Sequence, residues 1–543
     1  MRARISFLTS LLFTLPLVFL ALFYFYPLAG ILAFSFFGNG VLDLSGFQEI
    51  LVDPYYRHVL WFTTWQAGVS TILTLVAALP AAYLFARFQF RGQTLVRALT
   101  TLPFLMPTIV VAPAFIALFG PRGILPVQLV GTIWIIFLAH IFYNYTIVFR
   151  IVSTAWANLD PQLGNAARML GANRARVFFE ITLPLLMPAL LAASLLVFIF
   201  DFTSFGVILI LGGARLATLE VEIYRTAANL FDLPLAAALS LAQIFFTLLL
   251  ILGYTKLQAR LAVTMRVRPQ HITKRALKTF GEKMFVAVNI ALMLIFLLAP
   301  LVVLILQSLQ TAQGIGLQNY ILLNENARGS ATFIPPTDAI RNSLLFGGVT
   351  VALAVTLGLC AAYAITRAQR GGGWFDALFL LPLATSAVTL GFGYIVAFSR
   401  PPFDFRAAVW LVPVAHTLVA LPLVIRSIVP LLRQIKPNVR EAAAMLGANP
   451  TRVFREIDLP IVMRAVIVGA VFAFIVSLGE FGATTLIARP EWATIPLAIY
   501  RLLGQPGLTN YGQALALSTI LMLVSAVAIV LMERVRIGES AEF

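Results

Sequence analysis

A stretch of twenty residues occurs twice in this chain, and that repeat limits the fold more than any other feature. Asn165–Pro184 reads NAARMLGANRARVFFEITLP and Glu441–Pro460 reads EAAAMLGANPTRVFREIDLP; at a constant offset of 276 they agree at 14 of 20 positions. Agreement at a long offset without a gap means duplication of a whole unit. The offset holds outside the island as well. His140 matches His416, Arg150 matches Arg426 and Pro161 matches Pro437. Phe205-Gly206 matches Phe481-Gly482, Tyr224-Arg225 matches Tyr500-Arg501, and Ala238-Leu239 matches Ala514-Leu515.

Each copy is a polar island between very apolar stretches. Of the 543 residues, 60% are hydrophobic and 11% charged, with a mean hydropathy of +0.94. An ordinary soluble domain carries about 25% charged residues. The chain therefore reads as an all-α integral membrane protein with many spans. At roughly 20 apolar residues per span, the sequence predicts twelve transmembrane helices in two six-helix repeats. The first six cover 9–36, 59–85, 98–119, 128–149, 185–210 and 235–255. The second six cover 284–308, 342–366, 377–399, 407–428, 461–487 and 511–532. Pro80, Pro103, Pro107 and Pro382 fall inside spans, where neighbouring helices can re-satisfy a broken backbone. The apolar run from Phe7 to Phe37 follows Arg2 and Arg4 in the manner of a signal peptide. It far exceeds the roughly 7–15 residues of such a region, so it counts as a retained first span.

Lysine and arginine set the orientation. With the N-terminus in the cytoplasm and alternating spans, 28 of the 38 basic residues fall on the cytoplasmic side, including all five lysines. The formal charge of +16 is then a topology signal, and no nucleic-acid partner is needed to explain it. Both termini and both islands come out cytoplasmic. Each half holds an even number of spans, so the repeats are parallel, and a path is expected between them on a pseudo-twofold axis. The domain reading is a first half over 1–258 (core about 58–256), a linker over 259–283 and a second half over 284–543 (core about 340–533). The linker segment carries Arg260, Arg266, Arg268, Lys274, Arg275 and Lys278. It reads as a strap held against anionic membrane lipid, with a regulatory contact as the alternative.

The island itself predicts a docking shape. In the second copy Pro437 suits a first helical turn, and Val439, Ala442, Ala443 and Leu446 share one face. Gly447 is a stop signal, and Asn449-Pro450 caps a second short helix. The next span opens at Leu459-Pro460. The first copy repeats this with Asp160-Pro161, the face of Leu163, Ala166, Ala167 and Leu170, and a stop at Gly171. Small alanines let a partner's backbone come close. Helices that lie on lipid use bulky Leu, Phe and Trp instead, so a groove on a partner protein is the better fit.

E-A-A-x-x-x-G, nine residues, then I-x-L-P resembles the coupling motif of binding-protein-dependent ABC importer permeases. Glu441, Ala442, Ala443, Gly447, Ile457, Leu459 and Pro460 match it in full; Ala166, Ala167, Gly171, Ile181, Leu183 and Pro184 match in the first copy, where Asn165 replaces the acid. The resemblance implies two type I permease halves fused in one chain of a bacterial plasma (inner) membrane. It also implies two copies of a nucleotide-binding ATPase subunit docked at the two motifs, and a solute-binding protein that delivers the substrate. The chain has no GxxxxGK[ST] of its own, so it is read as a transport subunit rather than an enzyme, with ATP and Mg bound by the partner. No metal site is expected from four histidines and the single Cys360. His140 and His416 lack a nearby nucleophile and read as packing or interhelical hydrogen-bonding residues.

Fused permeases of this size resemble the thiamine and ferric-iron importers. His58–Ser70, Leu138–Asn144 and Leu211–Tyr224 are more similar to the thiamine permeases, so thiamine or its phosphates is the expected solute. Asp201 and Glu480 lie at nearly corresponding places in the fifth span of each half. A carboxyl group in hydrocarbon costs several kcal/mol unless paired or wetted. Two readings follow: the acids line the route of a cationic thiazolium, with Trp65 offering a cation–π face, or they fix broken helix ends beside Gly479 and Gly482. The segments Ser45–Arg57, Gly212–Leu233 and Ala488–Thr509 are expected to meet the solute-binding protein. An ion-coupled secondary transporter is the alternative of a different class, since it too has twelve spans in parallel halves.

Overall fold

The computed structural model describes residues 7–37, 41–262, 274–311, 313–326, 329, 333–367, 372–399, 401 and 403–540. Residues 263–273 of the expected linker, including Arg266 and Arg268, lie outside the described residues.

The first half runs α1 (Thr14–Phe36), α2 (Ser45–Val52), α3 (Pro54–Arg87), α4 (Gln93–Leu105), α5 (Thr108–Phe119) and α6 (Ile133–Asn158). It continues with α7 (Pro161–Met169), α8 (Arg174–Phe202), α9 (Gly206–Leu211), α10 (Leu219–Arg225) and α11 (Leu233–Ala262). The second half runs α12 (Phe280–Ser308), α13 (Pro336–Arg367), α14 (Gly373–Leu383), α15 (Ala387–Ala397) and α16 (Leu411–Gln434). Then come α17 (Pro437–Met445), α18 (Pro450–Gly479), α19 (Gly482–Ile487), α20 (Ile495–Gly504) and α21 (Leu508–Ser540). Among the described residues ten helices are long and apolar enough to cross a membrane, and the bent pairs α4–α5 and α14–α15 bring the number to twelve.

The third expected span of each half is thus not a straight rod. The α4–α5 pair bends by 100° and the α14–α15 pair by 90°. The first bend falls at Met106, which is extended (φ −70, ψ 139). The ring of Pro107 disfavours helical geometry in the residue before it. In the second, Thr385 is extended and Ser386 restarts the helix by accepting from the Thr389 N–H at 3.0 Å.

The fifth span differs from expectation in another way. The second helix of each island is not separate: it runs straight into the span, as α8 and α18. Pro184 and Pro460 sit inside these helices because a π-turn, Phe178–Thr182 or Phe454–Asp458, precedes each one. A proline has no N–H and clashes with the carbonyl four residues back, and the wider π-turn accommodates it.

The halves exchange their first helices. On α1, the Tyr24 hydroxyl donates to the Leu381 carbonyl at 3.1 Å and meets Thr385 Oγ1 at 2.7 Å, both on the second half. Phe23 packs on Phe398 and Trp410. In return α12 lies on the first half, with Phe296 against Phe142. The central helices α6 and α16 are the most enclosed, with 72% and 78% of their spanning windows buried. Outer helices leave Phe245, Leu249, Leu292, Ile295 and Val527 exposed, the pattern expected of lipid-facing surface.

In two of the three segments expected to meet a solute-binding protein, the helix is largely core. In α10, Leu219, Glu220, Glu222 and Ile223 are buried, and in α20 Ile495, Leu497 and Ile499 are buried. Their apolar runs are too short to span, and they fold back into the bundle instead. Strand structure among the described residues is confined to two-residue pairs. One of them lays Arg275–Ala276, the far end of the linker, parallel to Phe88–Gln89 at the end of α3.

Candidate functional site

Both islands build the same corner from backbone hydrogen bonds. In the first, the Asp160 side chain caps α7 through the Gln162 N–H at 2.9 Å. Its C-terminus closes with Gly171 N–H to Arg168 carbonyl and Ala172 N–H to Ala167 carbonyl, both at 3.0 Å. In the second, Gly447 bonds Ala444 and Ala448 bonds Ala443 at the same distance. This double closure is the Schellman motif, whose turning residue is left-handed. Gly171 and Gly447 accordingly have φ of +89° and +84°. Asn173 and Asn449 then cap the next helix by accepting from Arg176 and Arg452 N–H at 2.8 Å. The sharp glycine corner expected from sequence is therefore present in both halves.

Ala166, Asn165, Glu441 and Ala442 are exposed, and Ala167 and Ala443 are half-buried. No residue of α7 or α17 is buried. Beyond the alanines, each corner ends in an apolar tip that the sequence reading missed in part: Met169 and Leu170, then Met445 and Leu446, are 88–90% exposed. The repeat offset pairs these residues one to one and was the signal that could have found them.

The two corners are held differently. Behind the second, Asp458 is fully buried. It accepts from Tyr363 OH at 2.6 Å and Arg440 Nε at 2.8 Å, with Arg367 Nη2 at 3.5 Å. This carboxylate locks α17 to α13 and α18. At the repeat offset Asp458 corresponds to Thr182, Arg440 to Gly164 and Tyr363 to Arg87, so the first half has no such lock.

Toward the other end of the bundle, α8 and α18 break. The Glu480 carboxylate accepts from the Ala483 and Thr484 N–H groups at 2.7 and 2.9 Å and lies 3.3 Å from His416 Nε2. Asp201 accepts from Asn144 Nδ2 at 2.7 Å and lies 3.4 Å from His140 Nδ1. His140 also meets Ser70 and Ser204, and His416 meets Ser477 and Thr484. Both histidines make the interhelical hydrogen bonds expected of them. Glu480→Ala would leave two buried N–H groups unpaired, at about 1–3 kcal/mol each. We expect a clear fall in melting temperature in detergent, with Glu480→Gln milder because it keeps an acceptor.

Between the two breaks, the rings of Phe205 and Phe481 stack at 5.4 Å. Tyr224 flanks Phe205 at 5.5 Å and Tyr500 flanks Phe481 at 5.3 Å. These are repeat equivalents facing each other, so the pseudo-twofold axis passes through this aromatic cluster. Trp65 is elsewhere: it stacks on Trp61 at 5.5 Å, beside Phe62 and Phe137, and is 39% exposed. With Trp61 and Trp134 also exposed, this patch has the character of an interfacial aromatic belt.

Residues 75–267, which contain the first corner and its flanking spans, match the family described as binding-protein-dependent transport system inner membrane component. A thiamine transport system permease protein of Brucella abortus (strain 2308) is 28% identical over 508 residues, covering 88% of this chain and 90% of its own length. A probable ABC transporter permease protein of Sinorhizobium fredii is 25% identical over 545 residues, covering 95% of this chain and 94% of its own. A putative 2-aminoethylphosphonate transport system permease protein of Salmonella paratyphi A is 29% identical over 253 residues, 46% of this chain but 93% of its own length. A relative complete in under half of this chain is what a duplicated unit predicts. The ion-coupled carrier falls away: the chain is a multi-pass membrane permease of an ABC importer, of fused two-domain size, and its first half carries the match to the binding-protein-dependent family.

Proposed function

We propose that the chain forms the translocation path for thiamine or its phosphates and is driven by ATP hydrolysed on separate subunits. One nucleotide-binding subunit docks at Ala166, Ala167 and Gly171, and a second at Glu441, Ala442, Ala443 and Gly447. The observation that carries the docking is the pair of identical Schellman corners with bare Met-Leu tips. The corner end faces the cytoplasm, where ATP and Mg are available to the partner. The basic residues Lys274, Arg275 and Lys278 sit at that same end, as positive-inside placement requires.

A solute-binding protein delivers the substrate at the opposite end. Since α10 and α20 are largely core, its contact surface is narrower than the sequence suggests and centres on exposed residues such as Leu230 and Phe231. Closure of the ATPase subunits moves the corners, α8 and α18 move with them, and the Phe205–Phe481 stack parts. Thiamine is favoured by the relatives that match most of the chain and carry that function in their names. The ferric-iron alternative has no corresponding support. On this reading Asp201 and Glu480 assist a cationic ring along the route while Trp65 stays in the aromatic belt, so Asp201→Asn and Glu480→Gln lower thiamine uptake. Unchanged kinetics would leave the two acids with the helix-end role alone.

The deciding experiment is uptake of labelled thiamine at nanomolar concentration by cells with and without the gene. Uptake should vanish with the gene and return with the wild-type chain. Uptake that persists without the gene removes thiamine as the solute.

A further inference from the structure

The second half encloses its own anion behind the corner, and the first half does not. At the places of Asp458, Arg440 and Tyr363 the first half has Thr182, Gly164 and Arg87. The carboxylate is gone, but a guanidinium has been added. A cavity of about 770 Å³ lies there, lined by all three of these residues. That volume is within the range of roughly 300–1,000 Å³ typical of small-molecule sites.

The lining is basic. Arg168 and Arg174 stand on the corner side, and Arg275 reaches in from the linker end. Arg275 is engaged with Glu282 at 2.6 Å and lies over the Phe88 ring. That leaves Arg87, Arg168 and Arg174 facing Asp160 as the remaining acid of the lining. Arg87 is the telling residue, because its Nη1 is buried and has no hydrogen-bond partner. A buried charged donor without a partner is costly, and the second half shows what satisfies the same place: an oxyanion. One wall adds a ring surface, Tyr83 against Trp156 at 5.2 Å.

We infer that the cavity behind the first corner binds a phosphate ester, whose oxyanion takes the position that the Asp458 carboxylate holds in the second half. Guanidinium forks match phosphate oxygens in pairs, and the volume has room for more than one phosphoryl group. The bound ester ties α7 to α3 and α8, so the first corner becomes firm only when the ligand is present, whereas the second is firm always. A soluble phosphorylated metabolite and an anionic lipid headgroup both carry this chemistry.

The test uses the full chain in nanodiscs. In one arm, inorganic pyrophosphate is titrated calorimetrically into discs of phosphatidylcholine alone. In the other, discs containing phosphatidylglycerol are stripped and retained lipid is counted by native mass spectrometry. Saturable pyrophosphate binding identifies a soluble ester; retained phosphatidylglycerol without pyrophosphate binding identifies a headgroup. Either is expected to weaken at least about tenfold in Arg87→Gln. Either should also be lost in the double variant Gly164→Arg with Thr182→Asp, which rebuilds the second half's lock in the first. Arg87→Gln keeps the test decisive if the double variant does not fold. No binding in either arm, or binding that survives Arg87→Gln unchanged, overturns the proposal.

Discussion

Replacing Gly447 with aspartate abolishes ATP-driven uptake while the chain remains folded in the membrane. The backbone at Gly447 is left-handed at φ +84°, and a Cβ built there meets nothing within 4 Å. The change therefore causes no clash inside the chain. Its internal cost is the left-handed penalty alone, about 1–2 kcal/mol and at the low end for aspartate, which visits this region more readily than most residues. The damage falls on the partner. The corner is fully displayed, with Met445 and Leu446 nearly bare beside it, and a charged side chain would project into the docked surface. Disrupting an interface hot spot costs about 2–4 kcal/mol, or roughly 30- to 1,000-fold in occupancy. The measurement pairs uptake with the amount of chain in the membrane and with co-purification of the ATPase subunit. Loss of uptake with normal chain level and lost co-purification is the expected result. Uptake at the wild-type rate would sink the docking account, and loss of the chain itself would make Gly447 a folding residue.

The same substitution at Gly171 meets an equally open corner, so it should also weaken docking. Asn165 stands there in place of Glu441, so any charge-mediated part of the interaction is confined to the second corner. Comparing the two variants isolates that part.

The corners were legible because their chemistry is local. A glycine after an alanine-rich turn, followed by asparagine at a cap, determines a Schellman closure from about ten residues. The twelve spans were legible for a similar reason, since apolar length alone decides them. Three features were not. The bends at Met106 and Thr385 depend on where the chain must go after the bend, and a proline inside an apolar run reads the same whether the span kinks or folds. The burial of Glu220 and Glu222 in α10 depends on partners far away in sequence: Gln243 for the first, and Tyr55, which donates to Glu222 at 2.8 Å, for the second. The axis cluster is the instructive case. Phe205 and Phe481 were visible as a matched pair, but a match across a repeat says that two residues are equivalent. Only parallel halves meeting on a twofold axis make equivalent residues touch.

Asp458→Ala is expected to disable the second half with no direct effect on the docking surface. Asp458 has no exposed surface, and three donors converge on it from α13 and α17. Removing one member of a buried ion pair typically costs about 3–5 kcal/mol. Arg440 and Arg367 are 24% and 37% exposed, so water takes up part of their charge and the loss is nearer 2 kcal/mol. The Tyr363 hydroxyl loses its acceptor as well. The consequence for transport follows from geometry. With the carboxylate gone, α17 is joined to the spans chiefly through the chain itself, and a push delivered at Gly447 is absorbed before it reaches α18. Uptake should fall by at least about tenfold, while the ATPase subunits still bind and hydrolyse without transport. Thr182→Ala, the matching change in the first half, removes no lock and should leave uptake within about twofold, since changes away from such features stay within ±0.5 kcal/mol. Equal losses from the two substitutions would mean that the corners are held by something other than Asp458, and the difference between the halves would carry no mechanical meaning.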